Sequence, residues 1–130
     1  MANELKKARA LLQSLEGFTR DTNAHKAHTI MVLKCDVPRK NSNCWISGDV
    51  EFLCRSDRFD LMIGGNRCGP QTKNTCDGPQ EKDYSFGPSI HRSWTVFDAT
   101  ALVELTALVQ DHAPLLLAAY NDQVTTYTEI

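Results

Sequence analysis

The 130-residue chain carries no Lys or Arg after residue 92. It also lacks a Cys-x-x-Cys pair, a Gly-Lys-Ser/Thr phosphate loop, a three-glycine dinucleotide fingerprint and a His-Glu-x-x-His run. Each of those chemistries needs its ligands or donors at fixed spacing, so zinc-ribbon, thioredoxin, nucleotide-loop and zincin readings fall away. No apolar stretch approaches the roughly 18 residues of a membrane span, and none is expected. Met1–Lys7 shows neither an apolar run nor a cleavage site, which points to a cytoplasmic chain with reduced thiols. With seven Gly and five Pro, collagen-like and low-complexity readings are excluded as well.

What is present is a hydrophobic content of 42%, enough for a real core in a single domain spanning 1–130. The net charge of −2 excludes an extended nucleic-acid surface. That charge is unevenly placed. All 14 basic residues lie in residues 1–92 with 11 acidic ones, whereas 93–130 holds five acids and no base. The C-terminal third is rich in Leu, Val and Ala, so it reads as a folded, largely buried helix and not as an acidic tail.

Leu5, Ala8, Leu12 and Leu15 recur at helical spacing and predict a helix over 4–18, stopped at Gly17. Its seam suits a neighbouring helix or a symmetry mate. The run Ile30-Met31-Val32-Leu33 predicts a strand near 29–35. Strict alternation from Cys44 to Cys54 predicts a second, with Ile46, Val50 and Phe52 inward and Ser47, Asp49 and Glu51 in water. Arg55-Ser56-Asp57-Arg58 is a turn, and 59–63 returns as the hairpin partner. Residues 64–91 collect five glycines and three prolines and predict a long irregular loop. A strand near 93–97, helices at about 99–110 and 114–121 broken by Pro114, and an edge strand at Val124–Thr128 complete the chain. The segregated order predicts an α+β fold: an antiparallel sheet of about four to five strands packed with an N-terminal and a C-terminal helix.

Candidate chemistry gathers in residues 55–94. Arg55, Arg58, Arg67 and Arg92 offer forked donors, Asn66 tolerates tight backbone beside Gly64-Gly65, and Phe86, His91 and Trp94 supply flat faces. Arginine forks next to aromatic platforms suit phosphates and bases, so these eight residues form a candidate ligand site. The alternative is that the aromatics anchor the loop while the arginines pair with Asp57, Asp60 and Asp83. Among the five cysteines, Cys68 and Cys76 recur in two similar Gly-Pro-Gln turns, a weak metal candidate that ordinary turn chemistry explains equally well.

The sequence thus favours a non-catalytic, cofactor-free binding protein, homo-oligomeric through the leucine seam. Its small size and lack of motifs fit an accessory protein of a phage or mobile element. The partner expected is a nucleotide-like anionic small molecule that it sequesters, or a host protein that it inhibits. A self-assembling subunit of a virion or particle, and a small enzyme using His91 or a loop cysteine, are the alternatives.

Overall fold

A computed structural model describes residues 2–19, 31–36, 45–68 and 83–129 of the chain. Helix α1 (Ala2–Gln13) is followed by strands β1 (Met31–Asp36), β2 (Trp45–Cys54), β3 (Phe59–Cys68) and β4 (Asp83–Trp94), then by helix α2 (Ala99–Glu129). The strands form one antiparallel sheet in the order β1-β2-β3-β4. The class is α+β.

The core follows from the alternation of β2 and β3. Val50 stands opposite Ile63 and Phe52 opposite Leu61. These four side chains are buried on one sheet face beneath the α2 stripe Ala101, Leu105, Val109, Ala113 and Leu116. That stripe recurs every three or four residues, the period that keeps one helical face on a neighbour. The rings of Phe52, Phe59, Trp94 and Phe97 meet at the end where β4 passes into α2, with Trp94 edge-on to Phe97 at 5.5 Å between centroids. Asp98 starts α2: its carboxylate accepts from the Ala101 amide at 3.0 Å, satisfying a donor with no intrahelical partner.

Several expectations are corrected. Helix α1 ends at Gln13 and not at Phe18. Ser14 closes it by donating its hydroxyl to the Leu11 carbonyl at 2.7 Å, and Gly17 then takes a φ of 83°. A β-carbon on Gly17 would lie 2.6 Å from Leu117 Cδ2 and push that side-chain end aside, and the positive φ is one that favours glycine. The α1 seam is used within the chain: Ala8 and Leu12 are fully buried in the shared core.

Residues 64–91 are not one irregular loop. Strand β3 runs on through Gly64 and Gly65 to Cys68, and β4 already begins at Asp83. Gly65 is tolerated because the Phe86 ring fills the place of its missing side chain. Gly87 and Pro88 mark a bulge in β4. Phe86 pairs with Gly65 and Ile90 with Ile63, so β4 carries two more residues than β3 between the same pairs. Gly87 has a φ of 70° there. Cys76 lies outside the described residues, as does most of the Gly/Pro-rich segment.

Pro114 does not break the C-terminal helix, and Val124–Thr128 is helical and not a strand. Proline removes the amide that Gln110 would bond. Helical packing continues across it through Ala113 and Leu116, both buried on the sheet side. Thr106 and Thr125 donate their hydroxyls to the carbonyls four residues back, which seats β-branched residues in a helix. Because the helix is continuous, Ala99–Thr125 is long and apolar enough to cross a membrane by length and composition alone. A core helix meets the same length and composition criterion. One face of α2 is the buried stripe just described.

Candidate functional site

The sheet face turned away from α2 is polar, and the strand registers set it out in rows. Leu53, Asp60 and Ser93 form one row; Glu51, Met62 and His91 form the next. Asp49 then stands opposite Gly64, and Ser47 opposite Asn66 and Ser85. Since Gly64 has no side chain, the third row has a floor but no filling. The result is a cavity of about 300 Å³ walled by Asp49, Glu51, Met62, Asn66, Ser85, Ser89 and His91. The β4 bulge shapes its far side: a β-carbon on Gly64 would lie 3.3 Å from the Pro88 carbonyl oxygen.

The wall is built from hydrogen-bonding groups. Ser85 donates its hydroxyl to Asn66 Oδ1 at 3.4 Å, holding the two side chains together at one end. Glu51 is only 9% exposed, a carboxylate set deep in the wall. Asp49 and Glu51 are both engaged within the molecule. A carboxylate offers about four lone-pair positions, so an internal partner does not exhaust it. Among the described side chains no Lys or Arg lines the cavity.

One row above sits the most constrained polar group described. Asp60 is 2% exposed, and its carboxylate accepts from Arg55 Nε at 2.6 Å, from Arg58 Nε at 3.1 Å and from the Ser93 hydroxyl. Burial pushes this carboxyl up. The Ser93 and Arg55 hydrogen bonds and the charges of Arg58 and Arg55 outweigh it and hold the group down to about 2. His91 joins this cluster to the cavity, its Nε2 lying 3.6 Å from Asp60 Oδ1 and 3.4 Å from Ser93 Oγ.

The eight residues singled out from the sequence therefore fall in different places. Asn66 and His91 line the cavity. Arg55 and Arg58 are tied to Asp60, and Arg58 also to Asp57 at 3.2 Å. Arg92 pairs with Glu104 at 2.8 Å on α2 while stacked 5.2 Å over the Trp94 ring. Trp94 is a core ring whose Nε1 donates to the same Glu104 oxygen. Phe86 lies across Gly65, among the side chains packed on the core. Arg67 is paired through its backbone with Ile46 and Tyr84, and its side chain, like that of Cys68, lies outside the described residues. Sequence reasoning missed Asp49, Glu51, Met62, Ser85 and Ser89. The alternation of β2 had already put the two acids on the wet face; Ser85 and Ser89 were hidden in the supposed loop.

Among the described residues no group of three His, Cys, Asp or Glu side chains is placed to hold a metal ion. Nor is Ser93 activated by His91. Its hydroxyl donates to Asp60, and one imidazole nitrogen faces both oxygens, so no base stands between carboxylate and hydroxyl as nucleophile activation requires. Comparison with protein families, curated proteins and solved structures finds no match for this chain.

Proposed function

We propose that the chain is a non-catalytic binding protein whose ligand site is the cavity on the polar sheet face. One observation carries this reading: side chains from β2, β3 and β4 converge on a single cavity whose floor is a glycine. Concave sites with a few convergent polar groups on rigid strands are where small ligands bind. The unactivated Ser93 supports binding in preference to catalysis. The internal pairing of Arg55, Arg58 and Arg92 moves the site away from the arginine cluster and toward the neighbouring cavity.

The test is a backbone-amide NMR titration with a mixed set of small amines, alcohols, amides, carboxylates and phosphates. Shifts concentrated at Gly64, Asn66, Ser85 and Ser89 are expected for at least one compound. A set that leaves those amides unmoved overturns the reading.

A second reading, a self-associating subunit, is favoured by Val103 and Leu115, which are 68% and 57% exposed on α2. Isolated apolar residues are normal on surfaces; these two stand twelve positions apart on α2 and offer two separate contacts, not one patch. Sedimentation of the native chain beside Val103→Lys/Leu115→Lys tests it: a fall in mass supports association there, and equal masses remove it.

A further inference from the structure

We infer that the β2–β3 turn binds a phosphate-type oxyanion between the outward ends of Arg55 and Arg58, at a site separate from the cavity and independent of its reading. The turn closes through the Arg55 amide, which donates to the Arg58 carbonyl at 2.9 Å, so the two arginines face each other across the hairpin. Arg55 stands two positions after Leu53 and Arg58 two before Asp60, which puts both on the polar sheet face. Like charges directly opposite on a sheet repel. Asp60 compensates one of them from the buried side. Both Nε atoms bind its Oδ2, at 2.6 and 3.1 Å, and this sets the guanidiniums side by side.

That anchoring uses only the inner part of each guanidinium. Among the described residues neither Nη of Arg55 has a hydrogen-bond or ion-pair partner, and Arg58 uses Nη1 alone, on Asp57. Arg92 is the contrast: Nε and Nη2 go to Glu104 and Nη1 to the Ser93 carbonyl, so its donors are spent. Arg55 and Arg58 are close to half exposed, their stems already held by a buried carboxylate. A planar fork fixed in advance loses little freedom when it takes a planar or tetrahedral oxyanion.

Asp57 shows what the outward ends accept. Its carboxylate is 72% exposed and rests on Arg58 Nη1 at 3.2 and 3.4 Å, long for a charge-assisted bond. Exposed pairs of that kind are weak, so Asp57 is a competitor that an arriving ion can displace. A phosphate group has acceptor oxygens enough for the Arg55 fork and Arg58 Nη1 together. With Asp57 displaced, two arginines and Asp60 leave one positive charge at the turn, and His91, 3.6 Å from Asp60, adds another when protonated.

The test titrates the labelled chain with inorganic phosphate, glucose 6-phosphate and glucose, at an ionic strength held constant with chloride. It is followed at the amides of residues 55–58 and the arginine Nε–H signals. Both phosphates are expected to give saturable shifts there and glucose none. Equal affinities assign the site to the free ion, and tighter glucose 6-phosphate assigns it to a phosphorylated small molecule. Asp57→Asn, at an exposed position, is expected to tighten binding about threefold by removing the competitor. Arg55→Lys keeps a cation beside Asp60 but loses the fork, and is expected to weaken binding about tenfold. An unmoved turn in the native chain overturns the site, as does phosphate binding that Asp57→Asn weakens or Arg55→Lys leaves unchanged. Shifts confined to Gly64, Asn66, Ser85 and Ser89 also overturn it while supporting the cavity, so the two readings fail separately.

Discussion

The ring of Phe86 occupies the position that a side chain on Gly65 would take, 2.4 Å from where its β-carbon would sit. The two residues face each other across the β3–β4 ladder. An aromatic lying over a cross-strand glycine favours the register that brings the two together. Gly65→Ala is therefore expected to destabilise the chain by about 1–3 kcal/mol through overpacking. Coupling with Phe86→Leu, which withdraws the ring edge, should recover part of that loss. Denaturant midpoints of the two single variants and the double variant check it, and additive losses would refute the contact.

Asp60 makes stability depend on acid. Its folded value, near 2, is below the ordinary 3.8, so the folded chain holds the proton less tightly than the unfolded chain does. The contribution is complete above about pH 4 and drains away as pH falls toward 2. Asp60→Asn is expected to cost about 1–3 kcal/mol at neutral pH, as for other buried charged hydrogen-bond partners. It should also flatten the stability curve between pH 4 and 2. Thermal melts across that window, native against variant, measure both.

Glu104 receives Arg92 and the Trp94 indole at one carboxylate oxygen, which ties β4 to α2. The pair is about half exposed, so Glu104→Gln should cost no more than about 1 kcal/mol and the cost should shrink in high salt. Trp94→Ala removes a core ring and should cost about 3–5 kcal/mol, with little dependence on salt. Urea unfolding at low and high salt separates the electrostatic contribution from the packing contribution.

Pro114 is exposed and sits within a continuous helix. Replacing it with Ala restores an amide for the Gln110 carbonyl without emptying any core space. Interior proline costs a helix about 3 kcal/mol relative to alanine, so Pro114→Ala is expected to raise the melting temperature. A fall would mean that the proline sets a bend on which α2 packing depends.

Much of the scaffold was legible from local pattern. The β2 alternation, the 55–58 turn and the Asp98 cap are short-range signals, and the structure has all three. Gly64, Gly65 and Pro88 misled because their reasons are long-range: a ring across the sheet and a bulge opposite a continuous strand. Pro114 misled because tertiary packing on both sides outweighs one lost hydrogen bond. The site was half legible. The arginines were visible, and pairing of Arg55 and Arg58 with Asp57 and Asp60 was the alternative already open; what 64–91 concealed is the β3–β4 register that sets Ser93 and His91 beside Asp60.

The β4 bulge has a consequence for solubility. Strand β4 is twelve residues long and ends the sheet, so its outward row of amides and carbonyls would offer a template to any passing chain. Gly87 turns that row out of line and Pro88 removes a donor from it, leaving two short stretches in place of one long one. Straightening β4 by deleting Gly87 and Pro88 would give up the cavity's far wall and turn a guarded margin into a nucleus for fibrous assembly.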